Sequence, residues 1–231
     1  MTKPTNFEPE FDSDNFDDPI INPYLPLEVG NTWLYAHSDG GSNIVTVTDE
    51  TVTILGVECV VVTDNEFDEE GNPTEVTRDF FATDDFGNVW YFGEDTVELP
   101  SNDPAGTWLA GRVPEDGEEA AEPGIIMPAP DELAVGLTYL EEQADPVALD
   151  RASVKSLSAK VDLEEFEAFT DALKTKNDTS LDPGHVEHKY YVAGLGPVLI
   201  TSGGIREELV SFETGGEDLA LGSADSDVLL G

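Results

Sequence analysis

The chain has 231 residues, of which fifty are acidic and ten are lysine or arginine, so its formal charge is −40. Nucleic acids and anionic membrane surfaces repel so negative a protein, and both are excluded as partners. The hydrophobic fraction of 39% is enough for a sizeable core. The charge leaves three causes open: cation binding, a high-salt habitat in which salt screens the repulsion, or a solubilising surface.

The N-terminal segment, residues 1–21, has neither the basic region nor the apolar region of an ordinary signal peptide. Its many charges and few β-branched residues predict a disordered acidic lead. No stretch of the chain is long and apolar enough to span a bilayer, so we expect no membrane insertion.

Residues 22–212 alternate polar and apolar side chains in short runs separated by turn residues, which is typical of β-strands. The turn sequence DDFGN predicts one hairpin, and the pair Gly203–Gly204 predicts another. The one cysteine, Cys59, alternates with valines, which indicates a buried apolar residue and excludes an intramolecular disulfide.

One segment has a different spacing. Leu163, Phe166, Phe169 and Leu173 recur at intervals of three and four, which predicts a short helix. With about ten short strands around it, the chain is predicted to be all-β and mainly antiparallel. The expected architecture is a curved barrel or half-barrel that can cradle a ligand, with at most this one helix.

The strand after DDFGN contains the first candidate site. On a regular strand Trp90, Phe92 and Glu94 share one face, so they could line a pocket. Arg78, on the facing strand, would point inward and pair with Glu94. The alternative is that both aromatic residues belong to the core and that Glu94 is a surface acid at a strand end.

The segment HVEHKYY contains the second candidate. On a strand His185, Glu187 and Lys189 share one face. A zinc site using the histidine, Glu187 and a third ligand such as His37 is weighed against ordinary surface histidines, which we favour. The full predicted ligand pocket consists of Arg78, Trp90, Phe92, Glu94, Glu141, Glu187 and Lys189.

Four segments of residues 22–212 share motifs with a known group of proteins. The chain resembles a family of uncharacterised bacterial proteins that are often exported or lipid-anchored. The resemblance implies one β-rich domain and adds no reaction. The segments that carry it are NPYLPLEVGNTWLY, RDFFATDDFGNVWYFGEDT, EPGIIMPA and VEHKYYVAGLGPV.

Residues 213–231 form an acidic, glycine-spaced tail. Gly222 and Gly231 are nine residues apart, as are Asp218 and Asp227. The run GSADSDVLLG resembles the calcium-binding nonapeptide of repeats-in-toxin (RTX) proteins. That resemblance implies a Ca²⁺ site formed by Asp218, Gly222, Asp225 and Asp227.

The tail departs from the repeat pattern, because Ser223 replaces the second glycine and Asp225 the fourth. It also holds two units, whereas such stacks need about three to be stable. The alternative is an acidic terminus that binds calcium only diffusely, and a further one is that the chain is a truncated member of a longer repeat protein.

RTX proteins commonly leave the cell through a one-step (type I) exporter, which would agree with the lack of a signal peptide. We therefore expect a secreted or surface-located β-domain with calcium-binding repeats, working as a non-catalytic surface or ligand-binding module. Its partners would be divalent cations, a small-molecule ligand and that exporter. Two alternatives stay open: a hydrolase or isomerase with its site in the barrel mouth, and a cytoplasmic domain of a halophile without a calcium role.

Overall fold

A computed structural model describes residues 6–104 and 106–215. Within them the chain forms thirteen strands and one short 3-10 helix, Ser13–Asn15. The strands are β1 (Thr32–His37), β2 (Ser42–Ile54), β3 (Val57–Phe67), β4 (Pro73–Thr83), β5 (Val89–Glu98), β6 (Trp108–Leu109), β7 (Gly124–Met127), β8 (Thr138–Leu140), β9 (Asp150–Val161), β10 (Phe169–Thr179), β11 (Val186–Val192), β12 (Gly196–Ser202) and β13 (Ile205–Glu213).

All thirteen strands belong to one sheet, in the order β6-β5-β4-β3-β2-β1-β13-β12-β11-β10-β9-β8, with β7 also paired to β5. Every pairing of these strands is antiparallel. Most neighbours in the sheet are also neighbours in the sequence, as in a series of hairpins. The pairing of β1 with β13 joins the first and last strands at the middle of the sheet.

The sheet curves until its two ends meet. The backbone N–H of Glu122, before β7, donates to the carbonyl of Gln143, after β8, over 3.0 Å. Gly124 lies so close to this segment that an added Cβ would sit 2.0 Å from the carbonyl oxygen of Glu141. Within the described residues this isolated bridge is the link between the ends, so the ladder of strand pairs does not close into a ring. The prediction of an all-β, curved half-barrel is confirmed, with thirteen strands instead of about ten.

Two clusters of buried side chains fill most of this structure. The first joins strands from both ends of the sheet, through Trp108 of β6, Met127 of β7, Tyr139 of β8, Val154 of β9 and Leu173 of β10. Strands that are far apart in the sheet order therefore touch through their side chains, as in a barrel.

The second cluster lies under β1, β2 and β13. It includes Val47 and Leu209, and the rings of Trp33 and Phe212 stack with their centroids 5.1 Å apart. Cys59 is fully buried in the first cluster, so its prediction as an apolar core residue is confirmed.

The helix predicted over Leu163–Leu173 does not form. β9 ends at Val161 and β10 begins at Phe169, and these two residues pair with each other. The helical spacing arose because two residues of the connecting loop and two of β10 happen to lie three and four positions apart. Burial of Leu173 in the sheet outweighs the weak helical preference of the segment.

The acidic lead differs from the disordered segment that its charge predicts. Residues 6–21 lie against the barrel, because Phe11 and Phe16 pack on the rings of Trp90 and Phe92 at centroid distances of 5.7–6.1 Å. Composition alone misses this, because three phenylalanines are few among many charges but each buries a large apolar area.

Both predicted hairpins are confirmed. Gly203 and Gly204 connect β12 to β13 with positive φ angles of 58° and 95°, as a two-residue hairpin turn requires. In DDFGN the buried carboxylate of Asp84 accepts hydrogen bonds from the backbone N–H of Asn88 and the indole N–H of Trp90, each over 2.8 Å. These motif residues therefore serve a turn.

The β-domain continues past its predicted end at residue 212. β13 runs to Glu213, and Gly215 packs against Gly30. The four predicted calcium-binding positions of the tail lie outside the described residues. Among the residues that are described, no helix is long and apolar enough to cross a membrane.

Candidate ligand-binding site

A bulge in β5 decides which side chains reach the barrel interior. Asp79 of β4 pairs with Glu94 of β5, whereas Phe81 pairs with Tyr91, so β5 has one extra residue between the two pairs. Gly93 takes up the bulge with a φ of 127°. A side chain there would also collide with the neighbouring strand, because an added Cβ would lie 2.3 Å from a carbonyl oxygen of β6.

The bulge moves Glu94 to the face of Tyr91, so the prediction that Glu94 shares a face with Trp90 and Phe92 is wrong. The Tyr91 hydroxyl lies 2.6 Å from Oδ1 of Asp79 and 2.9 Å from Oε2 of Glu94. A phenol has one hydrogen to donate, so both contacts are hydrogen bonds only if one carboxyl group carries a proton.

The environment of these two acids favours that proton. Burial, and then repulsion from Asp79, raises the pKa of Glu94 to about 7. Burial raises the pKa of Asp79 to about 6, although the hydrogen bond from Tyr91 opposes the shift. The pair can thus share a proton near neutral pH.

Arg78 does not point inward. Its guanidinium forms an ion pair with Glu50 and lies 5.8 Å from the ring centroid of Phe80, on the outer face. The predicted pair with Glu94 is therefore absent, and Asp79, the next residue, faces the interior instead.

Trp90 and Phe92 are core residues, as the alternative interpretation held. Both are buried beneath the phenylalanines of the lead, on the face opposite Tyr91. They are not available to a ligand inside the barrel.

The structure brings Glu141, Glu187 and Lys189 together. The Lys189 ammonium lies 3.7 Å from Oε2 of Glu187. Burial alone would lower the pKa of Lys189, but the charge of Glu141, followed by those of Tyr191 and Glu187, raises it above its ordinary value. Lys189 is thus held in its charged form by the acids around it.

Glu141 is 2% exposed and half satisfied. Its Oε2 accepts a hydrogen bond of 2.6 Å from the amide of Asn177, while its Oε1 has no partner in the described part of the chain. Burial raises the pKa of Glu141 to about 7, against the attraction of Lys189.

His185 contacts this group only at its exposed edge, through Glu187. His185 is exposed, with Nε2 3.3 Å from Oε1 of Glu187 and 3.4 Å from the hydroxyl of Ser202. Within residues 6–104 and 106–215, no group of three or more histidine, cysteine, aspartate or glutamate side chains is arranged to hold a metal ion.

A cavity of about 210 Å³ opens on the inner side of the sheet, between β1–β4 and β11–β13. Five strands each line it with two residues that are two positions apart, as inward-facing residues of a strand must be. These pairs are Trp33 and Tyr35, Asn43 and Val45, Val62 and Asp64, Asp79 and Phe81, and Lys189 and Tyr191. Glu207 of β13 and Ile126 of β7 also line the cavity.

Two polar groups in this cavity wall have unmet hydrogen-bonding capacity. Oδ1 of Asn43 and Oδ1 of Asp64 are buried and have no partner within the described residues. The Asn43 side chain is 5% exposed, and its amide nitrogen lies 3.5 Å from Oε1 of Glu207. Buried acceptors are nearly always paired, so these two mark a place where a donor is missing.

Of the polar residues in the cavity wall, the sequence patterns predict Lys189 and miss Asn43, Asp64, Asp79 and Glu207. A signal was present for Asp64, which continues the alternation of Val60 and Val62 on β3. None was present for Glu207, because β13 carries a run of charged residues and shifts register against β1.

A larger, open cleft of about 910 Å³ lies at the rim, among the loops around residues 116–122, 142–151 and 176–186. Its two cations, Arg151 and Lys176, both bind Asp178, over 2.5 and 2.8 Å. Its acids at 116, 118 and 119 are exposed to solvent. Apart from Glu142, whose pKa is raised by burial, the cleft presents solvated or paired charges, and the interior cavity is the better candidate.

Comparison with known proteins gives little more. No family model and no curated protein matches the chain. Among solved structures, a protein from Parabacteroides distasonis, provisionally described as a lipoprotein, is 10% identical with a TM-score of 0.41, covering 84% of this chain and 100% of its own. A Bacteroides fragilis protein, provisionally described as exported and having a YmcC-like fold, is 11% identical with the same TM-score, covering 85% and 100%. Likeness at this level supports no conclusion about function.

Proposed function

We propose that this chain is a non-catalytic binding module that acts outside the cell or at its surface and holds a small molecule inside its barrel. The observation that carries the proposal is the cavity on the inner side of the sheet, where buried oxygens of Asn43 and Asp64 lack a donor. Ligand pockets typically combine apolar walls with a few convergent polar groups, and this cavity has both.

The lysine in the cavity wall, Lys189, is suited to binding and not to catalysis. A lysine acts as a nucleophile or base when its pKa is depressed, whereas the surrounding acids raise the pKa of Lys189. Its role in the proposal is to hold Glu141 and Glu187 in place as a fixed positive charge.

The test is whether filling the cavity removes binding. Val62→Phe places a larger side chain in the wall, and Val135→Phe makes the same change at a position that is 66% exposed. We expect compounds from a diverse small-molecule library to raise the melting temperature of the wild type and of Val135→Phe, and to leave Val62→Phe unchanged. Circular dichroism must first show that Val62→Phe folds, and Ile126→Phe serves as a second filling variant.

Equal shifts in the wild type and in folded cavity-filled variants would place binding elsewhere. The absence of any stabilising compound at millimolar concentration would contradict the proposal outright.

A second function, a hydrolase or isomerase, is favoured by one observation. The pKa values of Asp79 and Glu94, about 6 and about 7, suit proton transfer near neutral pH. If a compound that binds the cavity is also converted, Asp79→Asn should abolish conversion and keep binding. Binding without conversion by the wild type supports the non-catalytic module.

For the tail we propose calcium binding through Asp218, Gly222, Asp225 and Asp227, supported by the nine-residue spacing of its glycines and aspartates. Calorimetry should compare the whole chain with one ending at Gly215, which keeps β13 and its contact with Gly30. We expect the shortened chain to lose the heat of Ca²⁺ binding. Equal heats, with stability rising steadily in KCl, would favour a halophile's domain without a calcium role.

A further inference from the structure

Within the proposed binding function, we infer that the ligand of the interior cavity is a small organic cation: an ammonium group carried on an apolar body. The juxtaposition that points to it is a pair of unsatisfied buried oxygens, an excess of carboxyl groups and an aromatic and aliphatic wall, all on one cavity.

Hydrogen bonding gives the first reason. The two unsatisfied atoms, Oδ1 of Asn43 and Oδ1 of Asp64, are both acceptors. The side chain of Asn43 is already turned so that its nitrogen faces Glu207 and its oxygen is left over. A ligand that donates hydrogen bonds would satisfy both atoms, and an ammonium group donates up to three and accepts none.

Charge gives the second reason. Three acids, Asp64, Asp79 and Glu207, line the cavity with one cation, Lys189, and that cation also attracts Glu141 and Glu187. An anionic ligand would meet net repulsion in a region of low dielectric. Burial, followed by repulsion from Asp79 and Glu207, raises the pKa of Asp64, and a bound cation would relieve that repulsion.

Size and wall chemistry give the third reason. An apolar cavity of about 150 Å³ holds benzene, so about 210 Å³ has room for one ring or a short branched chain with a charged end. Trp33, Val62, Phe81 and Ile126 supply the apolar surface for that body. The rings also attract a nearby cation through their π faces.

A bare metal ion fits these observations less well. The residues of the described chain contain no cluster of three or more metal-ligating side chains, and most of the cavity wall is apolar. An apolar wall contributes nothing to a dehydrated ion, whereas it stabilises an alkyl or aryl group.

Three isosteric probes distinguish the ligand classes: 2-phenylethylamine, 2-phenylethanol and phenylacetate. We would titrate each into the full chain at neutral pH in 0.15 M KCl, which weakens diffuse attraction to the acidic surface. We expect the amine to bind at least about tenfold more tightly than the alcohol, with no binding of the carboxylate, since a charge-assisted hydrogen bond is roughly twice as strong as a neutral one.

Three substitutions locate the binding. Asp64→Asn and Glu207→Gln keep the shape of the cavity, and we expect each to weaken the amine by about tenfold while leaving the alcohol unchanged. The matched control is Asp95→Asn, which removes the same charge from an exposed position of β5 and should leave all three probes unaffected.

The outcomes separate this inference from the proposed function. If the alcohol or the carboxylate binds as tightly as the amine and Val62→Phe abolishes this binding, the inference of a cationic ligand is wrong. The proposed binding function is then still supported. If the amine binds equally to Asp64→Asn, Glu207→Gln and Val62→Phe, its site is the acidic surface and the inference is overturned. If no probe and no library compound binds, the inference and the proposed function both fail.

Discussion

The two faces of strands β3, β4 and β5 are both covered, yet they are built for different purposes. The outer face carries Cys59, Phe80 and Phe92, and the aromatic residues of the lead pack over part of it. The inner face carries Asp64 and Asp79 and borders the cavity. One face is packed with apolar side chains, whereas the other combines these acids with apolar residues such as Val62 and Phe81 around a cavity.

The comparison shows that burial alone does not identify a site. Successive residues of a strand point to opposite faces of the sheet. The chemistry of each face is therefore decided by the residue types at alternate positions. Apolar residues on one face stabilise the fold, because they remove area from water. Buried acids on the other face lower the stability of the fold. A protein keeps such acids where their charges have a functional role.

The largest expected effect comes from breaking the apolar face. Phe92→Ala removes a fully buried ring that contacts Phe11 and Phe16, and we expect the free energy of unfolding to fall by about 3–5 kcal/mol. Urea titration followed by tryptophan fluorescence measures it. Phe86→Ala, at a position 63% exposed, is the control and should cost less than about 0.5 kcal/mol.

That experiment also tests whether the lead belongs to the fold. If Phe92→Ala costs no more than the exposed control, the packing of Phe11 and Phe16 contributes nothing, and the lead behaves as the disordered segment that its charge predicts.

The next effect comes from the bulge that assigns side chains to the two faces. Gly93→Ala introduces a methyl group at a φ of 127° and 2.3 Å from a carbonyl oxygen, so we expect a loss of about 2–3 kcal/mol. Gly71→Ala is the matched control, because Gly71 has a φ of 79° and nothing within 4 Å of an added Cβ. It should cost about 1 kcal/mol, which isolates the backbone strain from the collision.

Equal losses at Gly93 and Gly71 would mean that β6 can move away. The bulge would then not be fixed by its neighbour, and Glu94 would not be held on the inner face.

The bulge also marks the limit of sequence-based prediction for the site. Period-two alternation correctly predicts many of the strands, and the glycine pair predicts the hairpin at Gly203–Gly204, because both depend on local preferences. It assigns Glu94 to the wrong face, because the extra residue of β5 opposite β4 interrupts the alternation. An isolated glycine within a strand pattern is a known sign of a bulge, and Gly93 is that sign.

Long-range pairing explains the rest of what the sequence does not reveal. Asn43, Asp64 and Glu207 lie on three different strands, and the pairings β1–β2, β2–β3 and β1–β13 bring them to one cavity. No spacing within the sequence encodes that meeting. Asp64 could have been predicted from the alternation of β3, but the convergence of the three residues could not.

A smaller effect comes from the inner face and depends on pH. Glu141 has a folded-state pKa of about 7 against an ordinary value of 4.5, so the folded protein keeps a proton that the unfolded chain releases between these values. Stability therefore rises as the pH falls from about 7 to about 4.5. The charged and titratable groups that act on it are Lys189, Asp150, Glu187 and Tyr139.

Glu141→Gln removes one contribution to this pH dependence. We expect the gain in unfolding free energy between pH 7.5 and pH 5 to shrink by on the order of 1–2 kcal/mol, with the other buried acids, Asp79 and Glu94 among them, supplying the remainder. Glu118→Gln, at an exposed position, is the control. If Glu141→Gln leaves this gain in unfolding free energy unchanged, Glu141 is ionised in the folded protein and a partner offsets the cost of burying its charge.

The smallest effect is expected at Arg78, which lies on the outer face beside Phe80 and pairs with Glu50. Both partners are partly exposed, at 36% and 56%, so solvent and salt screen the pair. Arg78→Met keeps the apolar stem over the ring and removes the charge, and it should change the unfolding free energy by less than about 1 kcal/mol. Because this side chain is outside the cavity, amine binding should be unchanged as well. A loss of more than about 2 kcal/mol, or a weaker affinity for 2-phenylethylamine, would mean that the outer face reaches the site and that the division between the two faces fails.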